Sequence, residues 1–206
     1  MSEFKEGVLR YCGVEWRYAE AGQGTNVVVF PDGGVTPIDE IAIALAAHHR
    51  VLVLDTTAVT RGEERTFATN LTFALANIGV RAFSVLGVAQ GVTPALAQAV
   101  YTPEQIQGLI IVSPPLASVQ STELSGSLAE IKAPTLVLVG TRDRSGSREA
   151  GRLCRAQIPA SYLLLVYEAG HAIATDRLEA CLSPIREFLT QGEGFIVSHE
   201  SQLIQP

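Results

Sequence analysis

Three short segments of this sequence carry side chains whose types and placement could do chemistry together. Gly87-Val88-Ala89-Gln90-Gly91 follows the apolar run Ala82 to Leu86 and leads into Pro94 to Tyr101, so a strand passes through Gly-x-Ala-x-Gly into a helix. Glycines on both sides of such a turn let a strained backbone form, with the central side chain standing above the sheet. Thr135 to Gly140 is followed by Thr141-Arg142-Asp143, an acid just past a strand end. Tyr162 to Tyr167 is followed by Glu168-Ala169-Gly170-His171, a histidine just past the next one. In a parallel sheet these ends lie on one edge, so positions 89, 143 and 171 can converge. A carboxylate orienting an imidazole makes a general base, and a hydroxyl or thiol beside it would be an activated nucleophile. Ala89 offers only a methyl group, which cannot attack a carbonyl.

Taken singly, each segment has a plainer reading. The glycines can simply make a tight turn, His171 can be a surface-loop histidine, and Asp143 can form an ion pair with Arg142, Arg144 or Arg148. His48 and His49 close a helix, where positive partners suit the dipole. Thr93 is placed to cap a helix ahead of Pro94. Ser84 and Ser113 lie near strand ends but at no exposed apex. The cysteines Cys12, Cys154 and Cys181 are odd in number and lack metal-like spacing, which fits reduced thiols. Cys154 and Cys181 fall in expected helices and read as small core residues.

The elements that must position these groups alternate along the chain. Val8 to Tyr11 and Val14 to Tyr18 flank Cys12-Gly13 and predict an antiparallel hairpin. Asn26 to Phe30 and Arg50 to Leu54 read as buried strands, separated by a helix over Pro37 to Ala47 with Thr36 as N-cap and acids in its first turn. Thr56 to Glu64 is polar enough for a loop. Phe67, Leu71, Leu75 and Ile78 keep helical spacing and Gly79 is placed to end that helix. Ala82 to Leu86, Leu109 to Val112, Thr135 to Val139 and Tyr162 to Tyr167 are further strands. Helical stretches are expected at Pro94 to Tyr101, near Arg148 to Arg155 and from Thr175 to Leu189, the last kinked or split at Pro184. Strands alternating with helices predict an α/β fold, a mostly parallel central sheet with helices on both faces. The tail 195–206 has no clear period and is expected to be partly loose or to add an edge strand. The short connection from Ser113 to Ala133 leaves no room for a substantial cap.

With 206 residues, 47% of them hydrophobic, the chain can bury one sizeable core, and we read 1–206 as a single domain. Charged residues make up only 17% and the net charge is -6, so no basic field draws the protein to nucleic acid or anionic lipid. Apolar runs are strand-sized, far short of a membrane span. The charged N-terminus lacks the apolar stretch of a secretory signal, which points to a cytoplasmic protein. No cofactor or metal is implied; the expected partner is a small-molecule substrate or ligand.

Together the segments resemble the α/β-hydrolase superfamily over nearly the whole span from Val8 to Leu189. The resemblance rests on Val27-Val28-Val29-Phe30 before an oxyanion loop, Gly87-Val88-Ala89-Gln90-Gly91 at a nucleophile elbow, Leu138-Val139-Gly140-Thr141-Arg142-Asp143 at the acid and Ala169-Gly170-His171 at the histidine. It implies that Ala89 occupies the nucleophile position, that Asp143 orients His171, and that the backbone N–H groups of Gln90 and Gly33 form an oxyanion hole. Two departures matter. Where the family usually carries His-Gly, this chain has Pro31-Asp32, bringing a negative charge beside a developing oxyanion. At the elbow, alanine replaces the nucleophile. Three functions stay open: a hydrolase of small esters or related carbonyl compounds whose serine has been replaced, a non-catalytic pseudo-hydrolase that binds a small ligand or a protein, and nucleophile-free general-base chemistry by His171 and Asp143.

Overall fold

The computed structural model describes residues 3–35, 38–55, 62–120 and 124–202. Among them an eight-stranded sheet runs in the order β1-β2-β4-β3-β5-β6-β7-β8. Strands β1 (Lys5–Tyr11) and β2 (Val14–Ala21) form the expected hairpin, turning at Cys12 (φ 47°) and Gly13 (φ 78°). Two successive positive φ values match the twist of a tight hairpin. β2 pairs antiparallel with β4 (Arg50–Leu54), and β3 (Asn26–Phe30), β4, β5 (Phe83–Val88), β6 (Ile106–Val112), β7 (Thr135–Gly140) and β8 (Ser161–Val166) are all parallel.

The inner strands are near-continuous Val, Ile and Leu because both of their faces are buried. Alternate residues divide between two cores. Val28, Phe30, Leu52, Val85, Leu109, Ile111 and Val137 pack under α2 (Glu64–Asn77), α3 (Val92–Tyr101) and α5 (Ser147–Gln157). Val27, Val29, Val51, Leu86, Ile110 and Leu138 pack under α1 (Glu40–Leu45), α6 (Ile173–Gln191) and α7 (Glu193–Gln202). Gly79, with φ 83°, follows α2 as the spacing predicts.

Helix α1 starts later than expected. The expected cap Thr36-Pro37 lies outside the described residues; Asp39 caps the helix, its side chain accepting the Ile41 N–H at 2.8 Å. Much of the expected loop 56–64 also lies outside the described residues. In α6 the backbone breaks at Arg177 (φ -148°, ψ 55°), while Pro184 sits within the helix, so the kink falls seven residues earlier than the proline suggested. Through residue 202 the tail is a helix, α7, and not an edge strand, with Phe195 fully buried and edge-on to Phe188 and Tyr162, both at 5.8 Å; residues 203–206 lie outside the described residues. Its anchors are the adjacent Phe195 and Ile196, with His199 stacked on Phe195 at 4.0 Å, so no helical stripe marks it in the sequence.

Between β6 and β7 the described residues carry only the four-residue α4 (Leu116–Val119) and a 3-10 turn at Leu128–Glu130. Val119, Leu124 and Leu128 are buried against the core under α3 and α5, so the described part of the connection lies down on the domain instead of arching over the sheet edge. Strand β3 lies between β4 and β5, so the chain leaves it to one side and returns on the other. The carboxyl ends of β3 and β5 flank that reversal, the place where open α/β sheets generally bind ligands.

Candidate active site

The turn after β5 has a geometry only its glycines permit. Ala89 has φ 46° and is 3% exposed, a left-handed conformation costing an L-residue about 1–2 kcal/mol. A Cβ on Gly87 would stand 2.5 Å from the Gly91 carbonyl oxygen and 2.8 Å from Ala95 Cβ. One on Gly91 would run into the Phe30 carbonyl at the end of β3. Strand, elbow and helix therefore interlock, and the elbow is pressed against the loop that follows β3.

At the other end of the site, the loops after β7 and β8 are stitched together. Arg142 N–H donates to Ala169 O at 2.9 Å, Thr141 N–H to Val166 O at 3.0 Å and Glu168 N–H to Thr141 Oγ1 at 3.0 Å. His171 Nδ1 lies 3.0 Å from Asp143 Oδ2. An ionised carboxylate only accepts, so Nδ1 donates to it and Nε2 is the ring nitrogen left free of that bond. Asp143 Oδ1 accepts from the Ser145 N–H at 2.7 Å and from its hydroxyl at 2.6 Å. Burial pushes this carboxyl up, but the bonds from Ser145, His171 and Ser147 outweigh it and bring it down to about 2. The Asp143 side chain is 1% exposed and that of His171 43%, so the acid is an enclosed anchor and the imidazole faces out. The surface ion-pair reading of Asp143 does not fit: Arg142 pairs instead with Glu168 at 2.8 Å.

Two serines that the sequence reading passed over hold the histidine. Ser145 Oγ, besides bonding Asp143, sits 3.2 Å from His171 Nδ1 as a second acceptor. Ser113, fully buried at the end of β6 with φ 49°, donates its hydroxyl to the His171 carbonyl at 2.7 Å. The Gly170 N–H next to the histidine donates to Asp176 Oδ2 at 2.7 Å. Ser145 lay two residues past a recognised acid, which was its only signal. Thr93 is not a cap: it lies inside α3 and donates to Ser118 Oγ at 2.9 Å.

Both N–H groups expected to form an oxyanion hole have partners near the loop after β3. Gly33 N–H is engaged in its own turn, donating to Pro31 O at 3.0 Å. Gln90 N–H, directly after the elbow apex, donates to Asp32 Oδ1 at 3.3 Å, a long contact for this type of bond. A carboxylate oxygen thus lies against the N–H that the expected oxyanion hole would use. Asp32 and Gln90 are both exposed, so solvent and ligands reach this end of the site.

Cys154 and Cys181 are buried in helices, and burial pushes each thiol up to about 12, which fits the core role expected of them. Among the described residues there is no His, Cys, Asp and Glu group able to hold a metal ion, and no helix long and apolar enough to cross a membrane.

No protein-family model matches the chain, and no curated protein does. Solved structures do. An enol-lactonase from Burkholderia xenovorans superposes with a TM-score of 0.77 at 15% identity, covering 89% of this chain and all 100% of its own. The fold is that of the α/β-hydrolases. Naproxen esterase from Bacillus subtilis gives 0.75 at 13% identity over 91% of this chain and 92% of its own. A hydrolase from Pseudomonas aeruginosa gives 0.74 at 19% identity over 90% and 98%. At such identities the likeness is one of α/β-hydrolase fold, and what this site does rests on its own residues.

Proposed function

We propose that this protein is a non-acylating α/β-hydrolase-fold protein that binds a small molecule at the carboxyl edge of its sheet. The observation that carries this reading is the Gln90 N–H bonded to the Asp32 carboxylate at 3.3 Å. Ala89 removes the nucleophile, and Asp32 independently fills the site of oxyanion stabilisation. Loss of serine alone would leave a hydrolase one substitution from activity, whereas two losses on separate strands speak for divergence. The Asp143–His171 pair supports a retained role at the same edge, since its hydrogen bonds at Nδ1 hold the imidazole in one orientation.

That pair also favours a second reading, in which His171 acts as a general base on an acidic C–H or O–H of the bound molecule. Structural neighbours named esterase, enol-lactonase and hydrolase point to carbonyl compounds as the ancestral ligand class. The test is p-nitrophenyl acetate and a fluorophosphonate probe offered to the native protein. The expected result is no burst of nitrophenol and no covalent label, with any slow turnover lost in His171→Ala. A stoichiometric burst or an adduct at a serine or cysteine would overturn the non-acylating reading.

A further inference from the structure

The hydrogen-bonding polarity of the site is reversed relative to acyl transfer. A site that stabilises an oxyanion presents N–H donors to a carbonyl oxygen. Here the Gln90 N–H is taken by Asp32 Oδ1, and the Gly33 N–H by Pro31 O. Two acceptor atoms are left without partners. Asp32 Oδ2 has no hydrogen-bond partner among the described residues, and His171 Nε2 likewise has none, its Nδ1 proton being held by Asp143 and Ser145. Contiguous loops join the two acceptors: the elbow packs on the Phe30–Pro31 backbone, β5 pairs with β6 up to Val88 and Val112, and Ser113 bonds the His171 carbonyl. Of the two arginines that flank Asp143, Arg142 is drawn off by Glu168.

We propose that this edge selects a cationic, donor-rich ligand head, a protonated amine, with Asp32 as the specificity-determining residue. The inference rests on the edge being a ligand site. An ammonium group supplies three N–H donors and no acceptor, so it matches a surface of lone pairs. A carboxylate or phosphate ligand would meet the Asp32 charge with the Gln90 and Gly33 backbone N–H groups already engaged. Electrostatic complementarity of this kind sets which partner binds more than how tightly it binds. Because Asp32 is exposed, its contribution is a modest one, screened by salt.

Three probes of one shape and different charge test this: benzylammonium, benzyl alcohol and benzoate. Each is titrated into the full chain at low ionic strength while the Gln90 backbone amide and the His171 ring are followed by NMR. Benzylammonium is expected to bind about three- to fivefold more tightly than benzyl alcohol, as suits one exposed ion pair, with benzoate weakest. Asp32→Asn keeps the side chain's shape and removes its charge, and should bring benzylammonium and benzyl alcohol together. The proposal is overturned if benzoate binds best. It is overturned equally if the order survives Asp32→Asn, or if no probe moves the Gln90 or His171 signals. Covalent labelling of the native protein tests the non-acylating reading separately, so either can fail while the other stands.

Discussion

Asp143 and Ser145 form a closed ring of hydrogen bonds, the serine's N–H at 2.7 Å and its hydroxyl at 2.6 Å both ending on the same carboxylate oxygen. This leaves the other oxygen to His171 at 3.0 Å. The acid is thus oriented from two sides before it orients anything else.

A pH dependence of stability follows. The Asp143 carboxyl stands at about 2 in the folded chain against an ordinary 3.8, so its contribution is fully present above about pH 4 and is lost as pH falls through about 2. The depression corresponds to roughly 2 kcal/mol. Denaturant unfolding measured between pH 5 and pH 2 should show this slope, and Asp143→Asn should flatten it. An unchanged slope in the variant would assign acid sensitivity to other carboxylates.

The strain at the elbow makes a comparison of two alanines informative. In the α3 interior, Ala95→Gly loses a buried methyl and helix propensity, costing about 1–2 kcal/mol. At Ala89, with φ 46°, glycine relieves the left-handed conformation and offsets most of that cost. Urea midpoints should therefore place Ala89→Gly at least about 1 kcal/mol above Ala95→Gly. Equal losses would mean that the elbow is unstrained.

The adjacent glycine behaves oppositely. Gly91→Ala drives a methyl into the Phe30 carbonyl, backbone that cannot swing aside, and should cost more than about 3 kcal/mol or abolish soluble folding. A variant with near-native Tm would show that the elbow does not press on the end of β3.

Thiol reactivity gives a check on packing. Of the three cysteines, Cys12 is exposed in the hairpin turn while Cys154 and Cys181 are buried with thiols held at about 12. A disulfide reagent should modify Cys12 quickly and the other two only on unfolding. Fast modification of all three would contradict the arrangement of α5 and α6.

The sequence made legible whatever local pattern determines alone. β3 and β4 fall where their apolar runs lie, because both faces are buried. Gly87 and Gly91 mark the elbow because no side chain fits there. Asp143 and His171 could be paired from their places after successive strands. What escaped notice depends on contacts between distant segments. Ser113 reaches His171 across 58 positions, and Asp32 reaches Gln90 across the same separation. The first left no trace in the spacing. The second appeared only as a charge in an unsuitable loop, and its partner could not be known. Helix α7 was missed because two adjacent residues, Phe195 and Ile196, anchor it without a periodic face.

On the proposed reading acyl transfer is blocked twice, by the methyl of Ala89 and by the Asp32 carboxylate on the Gln90 N–H. The rate of fluorophosphonate labelling in Ala89→Ser, compared with the pair Ala89→Ser and Asp32→Gly together, measures both blocks at once. Removing one donor from an oxyanion hole costs about 100- to 1,000-fold in related chemistry. Ala89→Ser alone should label barely above background, and freeing Gln90 by the second change should raise the rate at least about tenfold. Rapid labelling of the single variant, with no gain from Asp32→Gly, would contradict the account and leave a serine hydrolase missing only its serine.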